Sequence, residues 1–301
     1  MTTQFHEGEI AVQTQAGVRR AAERVGPSIH SEMPEAARDF LVRQPMAIVG
    51  ARDGDGRVWA SLLTGEPGFL RSPHGSTVEI DARLTPGDPL EDVWRDGTEA
   101  GLLAIEPATR RRMRVNGRLT ETPHGDLVIS VHEAYANCPK YIQVRTWERT
   151  GAGQEASHRV WRGERLTESQ REWIGRTDTF FIATRHPVAG ADASHRGGAP
   201  GFVLTRDPVT LLFPDYAGNN MFNTLGNLAA DPSAGLLFVD FESGDTLQIT
   251  GEARVLWDEA SRAPFVGAQR VIEFHIAGVV EIDGAAPLRW RFVEASPFNP
   301  I

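Results

Sequence analysis

The sequence predicts a mainly β protein with flanking helices, built from two similar barrels or sandwiches in tandem. Three observations lead to this prediction: short β-branched runs separated by turn residues, matching blocks in the same order in both halves, and a polar glycine-containing stretch at 149–158 between them. Many short strands at close spacing are typical of a compact antiparallel barrel or sandwich. The polar stretch is the predicted linker.

The matching blocks indicate an internal duplication. ASLLTGEPGFL at 60–70 aligns without a gap on ASHRGGAPGFV at 193–203, and GLLAIE at 101–106 falls on GLLFVD at 235–240. A repeat unit of this length implies two copies of one domain rather than a solenoid. We therefore expect a first domain over residues 1–150 and a second over 158–301. The copies should pack about a pseudo-two-fold axis as a pseudo-dimer, with a cleft between them.

Helices are predicted around these strands. The apolar spacing and the flanking prolines indicate helices over 7–26 and 32–43, and short helices are expected at 89–97 and 219–230. Thr167 followed by Gln170 is a capping box, which should begin a helix over 166–177.

Composition narrows the class of protein. The chain has 301 residues, 41% of them hydrophobic and 24% charged, which is typical of a soluble globular protein. A net charge of −9 argues against nucleic-acid binding, and the apolar runs are too short to cross a membrane. With one cysteine and an N-terminus unlike a signal peptide, we expect a cytoplasmic protein.

The differences between the copies point to a single ligand site. Leu62-Leu63 in the first copy corresponds to His195-Arg196 in the second, and the acidic GDPLED at 87–92 corresponds to the amide-rich GNNMFN at 218–223. The second copy therefore carries side chains suited to phosphate and amide recognition, although an ordinary solvated turn would have a similar composition. These candidate residues are Ser194, His195, Arg196, Asn219, Asn220 and Asn223.

These residues carry a family resemblance. PDYAGNNMFNTLGNLAADPSAGLLFVDFESGDTLQITGEARV, preceded by DASHRGGAPGFV, resembles the FMN-binding split-barrel superfamily of pyridoxamine 5′-phosphate oxidase. The first copy's ASLLTGEPGFL, ATRRRMRVNGR and NCPKYIQ are similar to the same superfamily. The closer resemblance is to two-copy bacterial proteins related to this oxidase. The fold it implies is a tandem pair of split β-barrels.

The resemblance also implies a cofactor, FMN, held between the barrels. By position, Ser194 and Arg196 on the second strand and Asn219 and Asn220 after the third would grip its phosphate. Where the oxidases have a basic pair, this chain has Asn220-Met221, so more of the phosphate binding would rest on Arg196 and His195. The first copy would contribute NCPKYIQVR at 137–145, with Lys140 and Arg145 as donors. We expect one FMN per chain.

Other motifs give weaker signals. Cys138, without a supporting histidine and acid pattern, is interpreted as a packed turn residue. In RRRMR, strand alternation places Arg110, Arg112 and Arg114 on one face, as solvated or interface charge, from which one arginine could reach a flavin phosphate. ARDGDGR at 51–57 reads as a hairpin turn rather than a calcium loop. The scattered histidines predict no metal site, and no dinucleotide fingerprint is present.

The function predicted from these observations is an FMN-dependent oxidoreductase acting on an unidentified small molecule. Its electrons would come from NAD(P)H or from a separate reductase. The alternatives are a non-catalytic flavin- or haem-binding protein and a deazaflavin-dependent reductase on the same fold. The sequence identifies no catalytic residue. A chain that contains its own pseudo-dimer is compatible with a homodimer but does not require one.

Overall fold

Two antiparallel sheets organise the chain, whose computed structural model describes residues 4–122, 126–150 and 158–300. The strands of the first sheet are β1 Met46–Arg52, β2 Val58–Thr64, β3 Leu70–Arg71, β4 Thr77–Ile80, β5 Glu99–Glu106, β6 Arg111–Glu121 and β7 Leu127–Ala136. Next come β8 Val144–Arg149 and β9 Val160–Gly163. The remaining strands are β10 Thr179–His186, β11 Gly190–Gly197, β12 Leu204–Asp207, β13 Thr210–Asp215, β14 Ser233–Val239, β15 Thr246–Leu256, β16 Arg270–Ile282 and β17 Leu288–Glu294.

The two sheets have the same strand order. Hydrogen bonding runs β2-β1-β5-β6-β7-β4-β3 in the first and β11-β10-β14-β15-β16-β13-β12 in the second. In addition, β9 pairs with β16, and β8 with β17 in a separate ribbon. The protein is therefore mainly β, as the sequence predicts. The predicted linker falls mostly on 151–157, which lie outside the described residues.

Helices flank the sheets. They are α1 Glu7–Gln15, α2 Arg19–Val25, α3 Glu35–Leu41, α4 Glu168–Arg176, α5 Asn223–Ala230 and α6 Glu259–Arg262, with short 3-10 turns at Gly26–Ser28 and Pro107–Thr109. The capping box of α4 is confirmed, because the Thr167 hydroxyl accepts from the Gln170 amide while the Gln170 side chain accepts from Thr167 N–H. No helix in the described part of the chain has the length and hydropathy needed to cross a bilayer.

Three helix predictions need correction. Residues 7–26 form two helices rather than one, because Gly17 adopts φ +71° between them. The helix predicted at 89–97 is a series of turns, since the Asp88 carboxylate accepts from Leu90 N–H and the backbone bonds that follow span two, three or four residues instead of a regular four. The helix predicted at 219–230 begins only at Asn223, because Asn220 and Phe222 are left-handed.

The apolar core of the described residues includes one cluster on each sheet and one between the sheets, which explains why the central strands are apolar on both faces. In β1, Ala47 and Val49 face the core of the first sheet, while Met46 and Ile48 face the layer between the sheets. In β10, Phe180 faces the second core and Phe181 the shared layer. The alternation of side chains along a strand thus supplies two packing surfaces from one apolar run.

Small residues allow the two sheets to approach closely. A Cβ placed on Gly101 would lie 2.5 Å from Cα of Asp192, and one on Gly235 would lie 2.5 Å from Cα of Trp59. In the alignment of the copies Gly101 corresponds to Gly235 and Trp59 to Asp192, so the two contacts are pseudo-symmetric mates. Both copies therefore need glycine at this position in order to pack.

The N-terminal helix α1 packs on the second sheet's helix α5. The helices meet at Gly8 and Gly226, where an added Cβ on Gly8 would lie 2.2 Å from the Gly226 carbonyl oxygen. Next to this crossing, the buried Glu9 carboxylate accepts from the Asn223 amide at 2.6 Å. Burial raises the pKa of Glu9 to about 8, although its hydrogen bonds with His6 N–H and Asn223 oppose the rise. Elements from one half of the sequence are thus part of the packing of the other.

Candidate functional site

A polar cavity lies between the two sheets, where β6 approaches β11 and the loop that joins β13 to α5. Its polar lining includes Arg112, Arg114, His195, Arg196, Asp215, Asn219, Asn220, Asn223 and Arg270. The arginines come from three different strands, so the cavity exists only when both sheets are in place. Cavities formed where two folded units meet are common ligand sites.

Two of the four arginines have carboxylate partners. The guanidinium of Arg114 lies 3.0 Å from the Asp192 carboxylate, and both side chains are buried. Arg270 lies 2.7 Å from the carboxylate of Asp215. Burial opposes the charge of Arg114, but Asp192 more than compensates, so that the pKa of Arg114 is raised. These two pairs are internally neutralised.

The other two arginines have only neutral hydrogen-bond partners. Arg112 donates to Nδ1 of His195 at 2.9 Å, and Arg196 donates to the Ser194 hydroxyl at 2.7 Å and to the His195 carbonyl oxygen at 3.0 Å. Burial lowers the pKa of Arg112 to about 10 and also lowers that of Arg196, which Asp215 attracts from beyond ion-pair distance. Four arginines against two carboxylates leave two positive charges uncompensated among the described residues.

Buried donors in this cluster remain unused. The Nε atoms of Arg112, Arg114 and Arg196 are inaccessible to solvent and have no hydrogen-bond partner within the described ranges. Buried polar groups are normally bonded, because leaving one unpaired costs free energy. Together with the excess positive charge, these donors suit a bound anion.

His195 is a neutral acceptor in this cluster. Its imidazole is buried, and burial together with the nearby arginines holds its pKa well below the usual range. Because Nδ1 accepts from Arg112, the ring proton lies on Nε2. His195 therefore orients Arg112 and does not add positive charge.

The loop before α5 is held in a strained conformation. Asn220 and Phe222 have φ values of 63° and 65°, which non-glycine residues adopt at a cost. The amide of Gln13 donates to the Met221 carbonyl at 2.8 Å, and the Asn219 side chain accepts from Met221 N–H at 3.1 Å. The rest of the protein thus fixes the loop before any ligand binds.

The structure brings five of the eight sequence-predicted residues to the cavity lining: His195, Arg196, Asn219, Asn220 and Asn223. Ser194 is fully buried beside it and accepts hydrogen bonds from Arg114 and Arg196, so it positions both guanidinium groups. Asn223 bridges Glu9 and Arg114 rather than offering a free group.

Lys140 and Arg145, the two donors expected from the first copy, lie outside the lining of this cavity. The Lys140 ammonium lies 5.6 Å from the ring centroid of Phe298. Arg145 is bound by the Asp178 carboxylate at 2.6 Å and packs on Phe241, because a buried guanidinium is stable only next to an opposite charge.

The first copy contributes Arg112 and Arg114 instead. Both belong to RRRMR, where their two-residue spacing places them on the same face of β6, and that alternation was the signal available in the sequence. Arg110 does not share their position, because it precedes the strand with φ 55° and pairs with Glu294 at 3.2 Å. Arg270 gave no comparable sequence signal.

The pseudo-equivalent position in the first copy is closed. Gln248, which corresponds to Arg114, donates to Ser61 at 2.9 Å and to Asp88 at 3.0 Å. Leu63, which corresponds to Arg196, is fully buried in the first core. Burial raises the pKa of the Asp88 carboxyl to about 6. This position thus holds an apolar residue and a carboxyl where the cavity holds cations, and it would repel an anion.

One cluster has the residue types of a metal site. Ligand atoms of His6, Glu7 and His186 lie within 4.8 Å of one another. However, Nδ1 of His186 accepts from the backbone amides of Val188 and Ala189, so its proton lies on Nε2 and faces Glu7. A nitrogen that carries a proton cannot bind a metal, and the geometry favours a hydrogen bond.

Comparison with known proteins identifies the second half. Residues 166–285 match the family described as pyridoxamine 5′-phosphate oxidase. This segment is similar to that family, and we refer to it as the oxidase-like domain. It supplies His195, Arg196, the loop before α5 and Arg270, whereas Arg112 and Arg114 lie outside the matched residues. The oxidase-like domain alone therefore lacks part of the cavity.

Solved structures resemble part of the chain at low identity. One is a protein of the pyridoxinephosphate oxidase family from Clostridium acetobutylicum, with 11% identity, 42% of this chain and 92% of that chain covered, and a TM-score of 0.31. Another is an FAD binding protein from Mycobacterium smegmatis, with 13% identity, coverage of 40% and 98%, and a TM-score of 0.30. A third is an F420 reductase, with 15% identity, coverage of 38% and 98%, and a TM-score of 0.28. No curated protein matches the sequence.

Proposed function

We propose that the cavity binds the phosphate of FMN and that the protein is an FMN-dependent oxidoreductase acting on a small molecule. The observation that carries the proposal is the pair Arg112 and Arg196, whose charges have no carboxylate partner among the described residues. A phosphate monoester bears a charge of about −1.5 to −2 at neutral pH, which matches the excess of two. The oxidase-like domain supports a flavin as the bearer of that phosphate.

The residues of the cavity have distinct tasks in this proposal. Arg112 and Arg196 bind the phosphate from opposite sheets, while Ser194 and His195 fix their guanidinium groups. The Arg114–Asp192 pair is already neutralised and does not compete for the anion. FMN, when bound, supplies the redox chemistry, and the protein supplies binding and orientation. NAD(P)H or a separate reductase would provide the electrons.

Comparing FMN with riboflavin tests the proposal, because riboflavin lacks only the phosphate. The flavin-free full-length protein is titrated with each compound, and the flavin fluorescence is followed. Two charge-assisted contacts predict that FMN binds at least about 100-fold more tightly than riboflavin, with one FMN per chain. Equal affinity for both compounds, or no uptake of FMN, would refute the proposed site.

A second measurement separates an enzyme from a carrier. The FMN-loaded protein is mixed with NADH or NADPH without oxygen, and the flavin absorbance near its visible maximum is recorded. Bleaching followed by recovery in air supports an oxidoreductase. If the flavin stays unbleached with either nucleotide, and also when a separate flavin reductase is added, the result would instead support a non-catalytic flavin-binding protein.

A further inference from the structure

An apolar groove adjoins the proposed cofactor cavity on the side of the first copy. It lies between α3 and the strands β6 and β7, and its volume is about 580 Å³. Phe40, Met113, Ala36 and Pro34 form part of its wall. Sites for small organic molecules are typically apolar concavities of this size with a few polar groups.

The groove and the cavity share a wall. Arg112 and Asn137 line both spaces. Oδ1 of Asn137 is buried without a hydrogen-bond partner in the described residues, as is Nε of Arg112. A molecule in the groove would therefore lie next to the cofactor cavity, with unused polar atoms at the junction.

The charged side chains that line the groove are all positive. Arg110, Arg111 and Arg112 line it, and its lining residues include no aspartate or glutamate. Arg110 is already paired with Glu294. The exposed guanidinium of Arg111 lies 5.2 Å from the ring centroid of Phe40 and has no carboxylate partner among the described side chains. Arg111 thus places a cation at the edge of an apolar wall.

We infer that this groove binds an apolar, ring-containing organic anion, such as an aromatic carboxylate. Its rings pack against Phe40 and Met113, and its acidic group binds Arg111. This anion is the substrate that meets the cofactor, a role that rests on the proposed FMN site. Groove binding itself does not depend on FMN, so the two proposals fail separately.

Binding is measured by calorimetry on the flavin-free full-length protein with 2-naphthoate and with its neutral isostere 2-naphthamide. Naphthoate should bind about tenfold more tightly than the amide, and Arg111→Gln should abolish that difference. Arg118→Gln is the matched control, because Arg118 is an exposed arginine on the same strand outside the groove lining. Absence of naphthoate binding, or a preference that survives Arg111→Gln, overturns the inference.

A second pair of variants tests the location. Ala36 is an exposed residue of α3 that lines the groove, whereas Asp39 is exposed on the same helix and does not line it. Ala36→Trp should fill the groove and weaken naphthoate binding at least tenfold, and Asp39→Trp should leave it unchanged. Equal effects of the two variants would place naphthoate elsewhere.

Absorption spectroscopy tests whether the groove lies next to the cofactor. In the FMN-loaded protein, naphthoate should perturb the visible absorption of the flavin, and Ala36→Trp should remove the perturbation while the affinity for FMN is retained. Groove binding without a change in the flavin spectrum would refute the substrate role. A protein that binds naphthoate but no FMN would refute the proposed function and leave groove binding standing.

Discussion

Arg196→Ala separates ligand binding from stability. In the free protein, the Arg196 guanidinium bonds only neutral groups, and one buried Nε–H has no partner in the described chain. A charge-assisted hydrogen bond contributes roughly 1.5–3 kcal/mol, so the loss of one to phosphate should weaken FMN binding roughly 10- to 150-fold. Riboflavin affinity should not change, because the missing contact is to the phosphate.

The stability of the free protein provides the second half of the test. Burial lowers the pKa of Arg196, which means that the charged side chain costs folding free energy at neutral pH. Arg196→Ala should therefore leave the urea midpoint unchanged or raise it. Arg114→Ala should lower stability by about 3–5 kcal/mol, since it leaves the carboxylate of Asp192 buried and unpaired.

The assay is a fluorescence titration of FMN and riboflavin into each variant, together with urea unfolding of the flavin-free protein. Arg206→Ala serves as the control, because Arg206 is half-exposed on β12 and pairs with Glu273 away from the cavity. Our reasoning is refuted if Arg196→Ala binds FMN as tightly as the parent protein. It is equally refuted if FMN and riboflavin lose the same affinity, since the effect would then be general misfolding.

Three further predictions concern the scaffold. Leu63→Ala removes a fully buried side chain and should lower the free energy of unfolding by about 2–5 kcal/mol, measured with urea. FMN affinity should be retained, because Leu63 lies at the closed first-copy position; loss of FMN binding would contradict that assignment. Gly101→Ala would force a Cβ against the Asp192 backbone and should destabilise by about 1–3 kcal/mol, whereas Gly54→Ala, with open space around it, should not. The raised pKa of Glu9 means that the folded state holds its proton more tightly, so stability should fall as pH rises from about 4.5 to about 8. Urea midpoints measured from about pH 4.5 to about pH 8 should therefore fall less steeply in Glu9→Gln than in the parent protein. An equal slope in both proteins would show that Glu9 does not cause the decline.

The sequence by itself determined the class of fold and the place of the asymmetry. Short β-branched runs between turn residues indicate strands, and the aligned ASLLTGEPGFL and ASHRGGAPGFV blocks indicate two copies, because both signals can be read from the order of residues alone. The same comparison marked His195-Arg196 against Leu62-Leu63, and the structure places the first pair at the cavity and the second in apolar cores. Residue type alone was sufficient to predict this difference, because leucine is stable in an apolar core whereas arginine needs polar partners or solvent.

Only the tertiary structure decided which charges remain available. The sequence predicts Arg145 as a donor and places Arg112 among solvated or interface charges, but folding brings Asp178 to Arg145 and only neutral partners to Arg112. Likewise, Arg114 is neutralised by Asp192 from the other sheet. A local pattern cannot show such pairings, because the partners are distant in sequence and meet only through the packing of the two sheets. The free energy of a buried charge depends on the partner that it meets, so the two arginines without a carboxylate partner among the described residues could be recognised only in the folded chain.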